Sequence, residues 1–145
     1  MASTASVAPS CGDRHGIRAK AVEINPRLAP AYYNWGIALR KMGRPAEACE
    51  KYAKAVEIHP RDAVAYSNWG AALESMGKHA EACQKYAKAV EINPQDAAAY
   101  FNWGLALGKM GKTAEAVGKL DQAAALDPAL KGRVDALRRE LMGGK

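Results

Sequence analysis

Apolar residues recur at steps of three and four through most of this chain, and the pattern breaks at regular intervals at Gly or Pro. That spacing lays a hydrophobic stripe along one side of a helix. It predicts helices over about 30–42, 64–76 and 98–110, each stopping at a Met-Gly pair that supplies Gly43, Gly77 or Gly111. A glycine just past a helix end adopts the left-handed conformation at little cost. A second set is predicted over about 46–58, 80–92 and 114–126, ending before Pro60, Pro94 and Pro128. Proline cannot continue a helix and biases the residue before it away from one. Pro45 falls in a first turn, where its missing N–H costs nothing, and Asp62 and Asp96 stand where N-caps belong. Past Pro128, Val134, Leu137 and Leu141 share one face, with Arg133, Arg138, Arg139 and Glu140 largely on the other. Segment 131–145 therefore reads as an amphipathic capping helix and tail with a polar outer side.

The helices come in pairs, and the pairs repeat. Residues 29–62, 63–96 and 97–130 are three copies of one 34-residue unit; the first two agree at 24 of 34 positions and the second and third at 17. Units of this size stack, each burying its apolar face against its neighbours, which predicts an all-α helical solenoid closed by the terminal helix. Residues 19–26 repeat 87–94 letter for letter, so 19–28 reads as the second-helix remnant of a partial repeat. The tail before it, 1–18, carries Gly12 and Gly16 and is expected to be disordered or partly helical, with a short helix near 13–25.

Where the copies disagree is informative about function. In the first fifteen positions of each unit only five change: Pro30/Val64/Ala98, Tyr33/Ser67/Phe101, Ile37/Ala71/Leu105, Arg40/Glu74/Gly108 and Lys41/Ser75/Lys109. These lie on one helical stripe. The invariant residues hold unit to unit, and the stripe is surface that packing leaves free. Tyr33, Ile37, Phe101 and Leu105 are large and apolar there, which points to recognition rather than solvation.

Composition narrows the field. Abundant Ala, Glu and Lys with few β-branched residues favours helix, and no stretch approaches the ~20 apolar residues of a membrane span. The net charge of +6 sits at the ends and in the first unit: by segment it is +2, +2, −1, 0 and +3. Nucleic-acid binders present a continuous basic face, whereas Lys51, Lys54, Lys85 and Lys88 alternate here with Glu47, Glu50, Glu57, Glu81 and Glu91; no nucleic-acid partner is expected. Cys49 and Cys83 share a repeat position that holds Val117 in the third unit, so they read as small buried hydrophobes. Unpaired thiols suit a reducing, cytoplasmic setting. His15, His59 and His79 share no face and no metal-ligand spacing with the cysteines, and the glycines punctuate repeats rather than cradle phosphate. No catalytic residue, metal or cofactor is expected.

The period and fixed residues closely resemble the tetratricopeptide repeat. Tyr32, Trp35-Gly36, Leu39, Ala48, Tyr52, Ala55 and Pro60 fill its pattern in the first unit. Tyr66, Trp69-Gly70, Leu73, Ala82, Tyr86, Ala89 and Pro94 fill it in the second, and Tyr100, Trp103-Gly104, Leu107, Ala116, Leu120, Ala123 and Pro128 in the third. Trp replaces the usual Leu before Gly and is expected to fill the gap between the two helices of a unit; Leu120 replaces an aromatic. The resemblance implies a right-handed α-solenoid of helix-turn-helix repeats whose first helices line a concave groove that binds a peptide or partner helix.

The family's groove positions coincide with the variable stripe. The site is therefore expected at Tyr33, Asn34, Ile37, Arg40 and Lys41 in the first unit, Ser67, Asn68 and Ala71 in the second, and Phe101, Asn102, Leu105 and Lys109 in the third. The resemblance also implies a ladder of Asn34, Asn68 and Asn102 on a partner's backbone, since an amide both donates and accepts. Arg40, Lys41 and Lys109 at the rim favour an acidic segment, and the apolar stripe favours apolar side chains. Chaperone-binding members hold a carboxylate with a basic clamp; its positions carry Tyr33, Ala98 and Asn102 here, which argues against that ligand. The resulting expectation is a protein-interaction adaptor. The alternative is a self-assembling scaffold joined through uncovered repeat ends such as 19–26.

Overall fold

The computed structural model describes residues 28–143, which form seven α-helices and no strand. The helices are α1 (Ala29–Lys41), α2 (Pro45–Ile58), α3 (Ala63–Ser75), α4 (His79–Ile92), α5 (Ala97–Lys109), α6 (Thr113–Leu126) and α7 (Lys131–Gly143), with a 3₁₀ turn at Pro128–Leu130 before α7. The expectations for 1–18 and for the remnant at 19–28 fall, apart from Leu28, outside the described residues. Each helix packs on the next in chain order, so α1–α2, α3–α4 and α5–α6 form hairpins that stack on one another, and α7 lies against α6. The chain is an all-α solenoid.

Helix ends follow the punctuation. Gly43, Gly77 and Gly111 take φ of +78°, +75° and +80°. After α1 the N–H of Arg44 bonds to Leu39 O at 2.9 Å and that of Gly43 to Arg40 O at 3.0 Å. The same pair of bonds closes α3 and α5, satisfying carbonyls that a helix end would otherwise orphan. Asp62 and Asp96 cap α3 and α5 by accepting from Ala65 N at 3.1 Å and Ala99 N at 3.0 Å.

The sequence pattern puts Trp in the gap between the two helices of a unit, but Trp does not fill it. Tyr52, Tyr86 and Leu120 fill it; each is 0–1% exposed, and each lies over a glycine. A Cβ on Gly36, Gly70 or Gly104 would fall 2.7, 2.6 or 2.7 Å from those side chains. Only glycine permits that approach. Trp35, Trp69 and Trp103 are partly exposed instead. Each stacks on the Tyr three residues earlier, with centroids 5.8–6.2 Å apart, and carries a lysine ammonium on its ring: Lys51, Lys85 and Lys119 at 4.0, 3.9 and 4.1 Å. An indole is too wide to enter between backbones this close, so it takes the seam beside them and gains a cation–π contact there.

Gly118 is the exception among the helical glycines of the array. It lies within α6, is exposed, and an added Cβ would meet nothing within 4 Å. Gly118→Ala is therefore expected to stabilise the chain by about 0.5–1 kcal/mol through backbone entropy alone. A thermal melt that moves downward would show a close contact at that position.

Candidate functional site

The first helices of the three units, α1, α3 and α5, stand side by side and carry two adjoining depressions. One, of about 360 Å³, is lined by Arg40, Val64, Ser67, Asn68, Ala71, Asp96, Ala98 and Asn102. The other, of about 290 Å³, is lined by Arg40, Ala71, Glu74, Tyr86, Asn102, Leu105 and Lys109. Arg40, Ala71 and Asn102 belong to both, so the two form one groove. At the middle unit its lining includes the small Ser67 and Ala71, where the first unit has Tyr33 and Ile37.

Seven of the residues expected from the sequence meet in this groove: Arg40, Ser67, Asn68, Ala71, Asn102, Leu105 and Lys109. Tyr33 bounds it through a hydrogen-bond network. Asn68 donates its amide hydrogens to Tyr33 Oη at 3.1 Å and Val64 O at 2.9 Å, and accepts from Arg40 at 3.3 Å. Burial, then the charge of Asp62, raise the Tyr33 phenol above its usual pKa. Ile37 packs against the first-unit core, while Asn34 and Lys41 are exposed on α1 and line neither depression. The three asparagines are thus not equivalent. Asn68 is spent joining the first two units, whereas no hydrogen bond ties down the amide of Asn102 among the described residues.

Phe101 requires a correction. It is 6% exposed and sits in a core cluster with Leu120, Ala123 and Val134. α7 closes over it, and the Arg133 guanidinium lies 4.6 Å from its ring centroid. A stripe position open in the first two units is covered in the third because the capping helix rests there.

Val64, Ala98 and Glu74 were visible as stripe positions without being assigned to the site. Asp96 and Tyr86 gave no such signal: the first read as a cap, the second as a fixed residue of the repeat pattern. Glu74 accepts from, or pairs with, His79 Nδ1 at 2.7 Å and lies 3.9 Å from Lys109 Nζ. Burial and the Glu74 charge raise the Tyr86 phenol well above its usual range, so it stays a neutral hydroxyl at the groove floor. Burial also raises both thiols, Cys49 and Cys83, which keeps them protonated and poorly nucleophilic. Among the described residues no group of His, Cys, Asp and Glu could hold a metal, and no helix is long and apolar enough to cross a membrane.

Stacked helical hairpins with a shared groove define a class, the helical-repeat solenoids. Tetratricopeptide repeat models match residues 29–62 and 98–129, and a further TPR repeat model matches 74–111; the chain belongs to the tetratricopeptide repeat family. No curated protein matches it. Among solved structures it is similar to the TPR domain of Arabidopsis OM64, at 23% identity over 83% of this chain and 99% of that one, with a TM-score of 0.78. It is also similar to the TPR2B domain of yeast Sti1 in complex with pHsp70, at 24% identity over 81% and 98%, TM-score 0.76. A third is the Yersinia enterocolitica type III secretion chaperone SycD in complex with a peptide of the translocator YopD, at 20% identity over 83% and 96%, TM-score 0.76.

Proposed function

We propose that this chain is a protein-interaction adaptor that binds a peptide segment along the groove of α1, α3 and α5. The observation that carries this reading is the continuous depression centred on Ala71, with the amide of Asn102 left to bond a partner's main chain. Asn102, rather than a ladder of three asparagines, supplies the backbone contact, since Asn68 already serves the fold. Similarity to repeat domains solved with bound peptides supports the same reading.

Selecting 12-residue peptides from a random display library against the chain tests it. Ala71→Arg fills the groove from a partly exposed position without entering the core. It is expected to weaken the selected peptides by about tenfold or more, as blocking a contact centre does, while the melting temperature holds. Peptides that bind Ala71→Arg as tightly as the parent would place the site elsewhere.

A further inference from the structure

The groove does not end at the third unit. A third depression, of about 220 Å³, continues from the second across Leu105 and Lys109, which line both. It runs between α5 and α7 against Gly104, Gly108, Leu137 and Leu141, with Glu140 on its far rim. Its origin is a pair of repeat positions. Arg40 in the first unit and Glu74 in the second stand beside the buried hydroxyls of Tyr52 and Tyr86. In the third unit that hydroxyl is gone, because Leu120 replaces Tyr, and Gly108 replaces the polar side chain. Leu141 of α7 approaches the vacated space, its Cδ2 3.0 Å from where a Gly108 Cβ would lie. The result is a cleft with aliphatic walls whose charges stand only at the mouth. The Lys109 side chain is 59% exposed, and the one carboxylate within 4 Å of it among the described residues, Glu74 at 3.9 Å, is also bound to His79.

Resting on the groove reading, we propose that this cleft takes one bulky aliphatic side chain of the bound segment, and that an acidic residue next to it meets Lys109. A cleft of this volume admits a side chain but not a helix face or a second copy of the chain, whose interface needs far more area. Burying an aliphatic group there supplies the affinity. Lys109 supplies a charge preference on its own side of the mouth, while Glu140 repels a carboxylate from the other.

The library peptides read this out on the full chain. Binders are expected to share Leu, Ile, Met or Val beside Asp or Glu. Gly108→Ala puts a methyl into the cleft at a helical position that favours alanine, and should weaken them about tenfold or more. Lys109→Gln should weaken them about threefold and flatten their salt dependence. In the unaltered protein, the methyl resonances of Leu137 and Leu141 should shift on binding, a readout independent of how Gly108→Ala folds. Peptides lost on Ala71→Arg that ignore Gly108→Ala and leave those methyls unmoved would overturn the cleft and leave the groove standing. Peptides indifferent to Ala71→Arg, or a library that yields no binder, would overturn both.

Discussion

Tyr86→Ala is expected to destabilise the chain by about 3–5 kcal/mol, a large share of the roughly 5–15 kcal/mol that holds a domain folded. The ring is 1% exposed and lies directly on the Gly70 backbone, so its removal opens a void between two helices whose spacing Tyr86 itself sets. Neither helix can close it without breaking contacts to the neighbouring units. Trp69→Ala, though it deletes a larger side chain, is expected to cost about 1–2 kcal/mol less. Part of the indole already faces water, and one of its contacts is the Lys85 ammonium at 3.9 Å. Urea titration followed by circular dichroism measures both. A Trp69 variant less stable than the Tyr86 variant would make Trp the wedge of the repeat after all.

Phe101→Ala is expected to lower the melting temperature by about 10 °C or more, corresponding to roughly 3 kcal/mol for a core Phe. Its ring anchors α7 over α5 and α6 through Val134 and the Arg133 guanidinium. Losing it should loosen the capping helix and expose the apolar end of the array. Tyr33→Ala, at the corresponding position of the first unit, should cost distinctly less. That ring is partly exposed and loses a tilted contact with Tyr52, at 6.1 Å, and the hydrogen bond from Asn68. Differential scanning calorimetry of the two variants decides the matter. Equal, small shifts would mean that α7 does not close on Phe101 and that both residues face the groove.

The sequence by itself determined the repeat, the helices and their ends. Each of those depends on local chemistry that recurs every 34 residues: glycine for a left-handed C′ residue, aspartate for a cap, proline as a stop, and apolar steps of three and four. Part of the lining of the depressions followed as well, because most positions that vary between copies are ones that packing leaves free. What single positions do depended on contacts across units, which no local pattern encodes. Tyr and Trp are both large aromatics in fixed places, and only the helix spacing set by Gly36, Gly70 and Gly104 decides which of them enters the gap. Phe101 and Tyr33 occupy the same repeat position, yet α7 buries one and leaves the other at the groove edge. Asn68 and Asn102 match letter for letter, and the network from Tyr33 and Arg40 satisfies one amide while the other stays available. The loss of a hydroxyl at Leu120 and of a side chain at Gly108 look unrelated in the sequence, twelve positions apart on different helices. In the fold Leu141 packs on the core cluster that holds Leu120 and comes close to Gly108, and the cleft opens there beneath the capping helix.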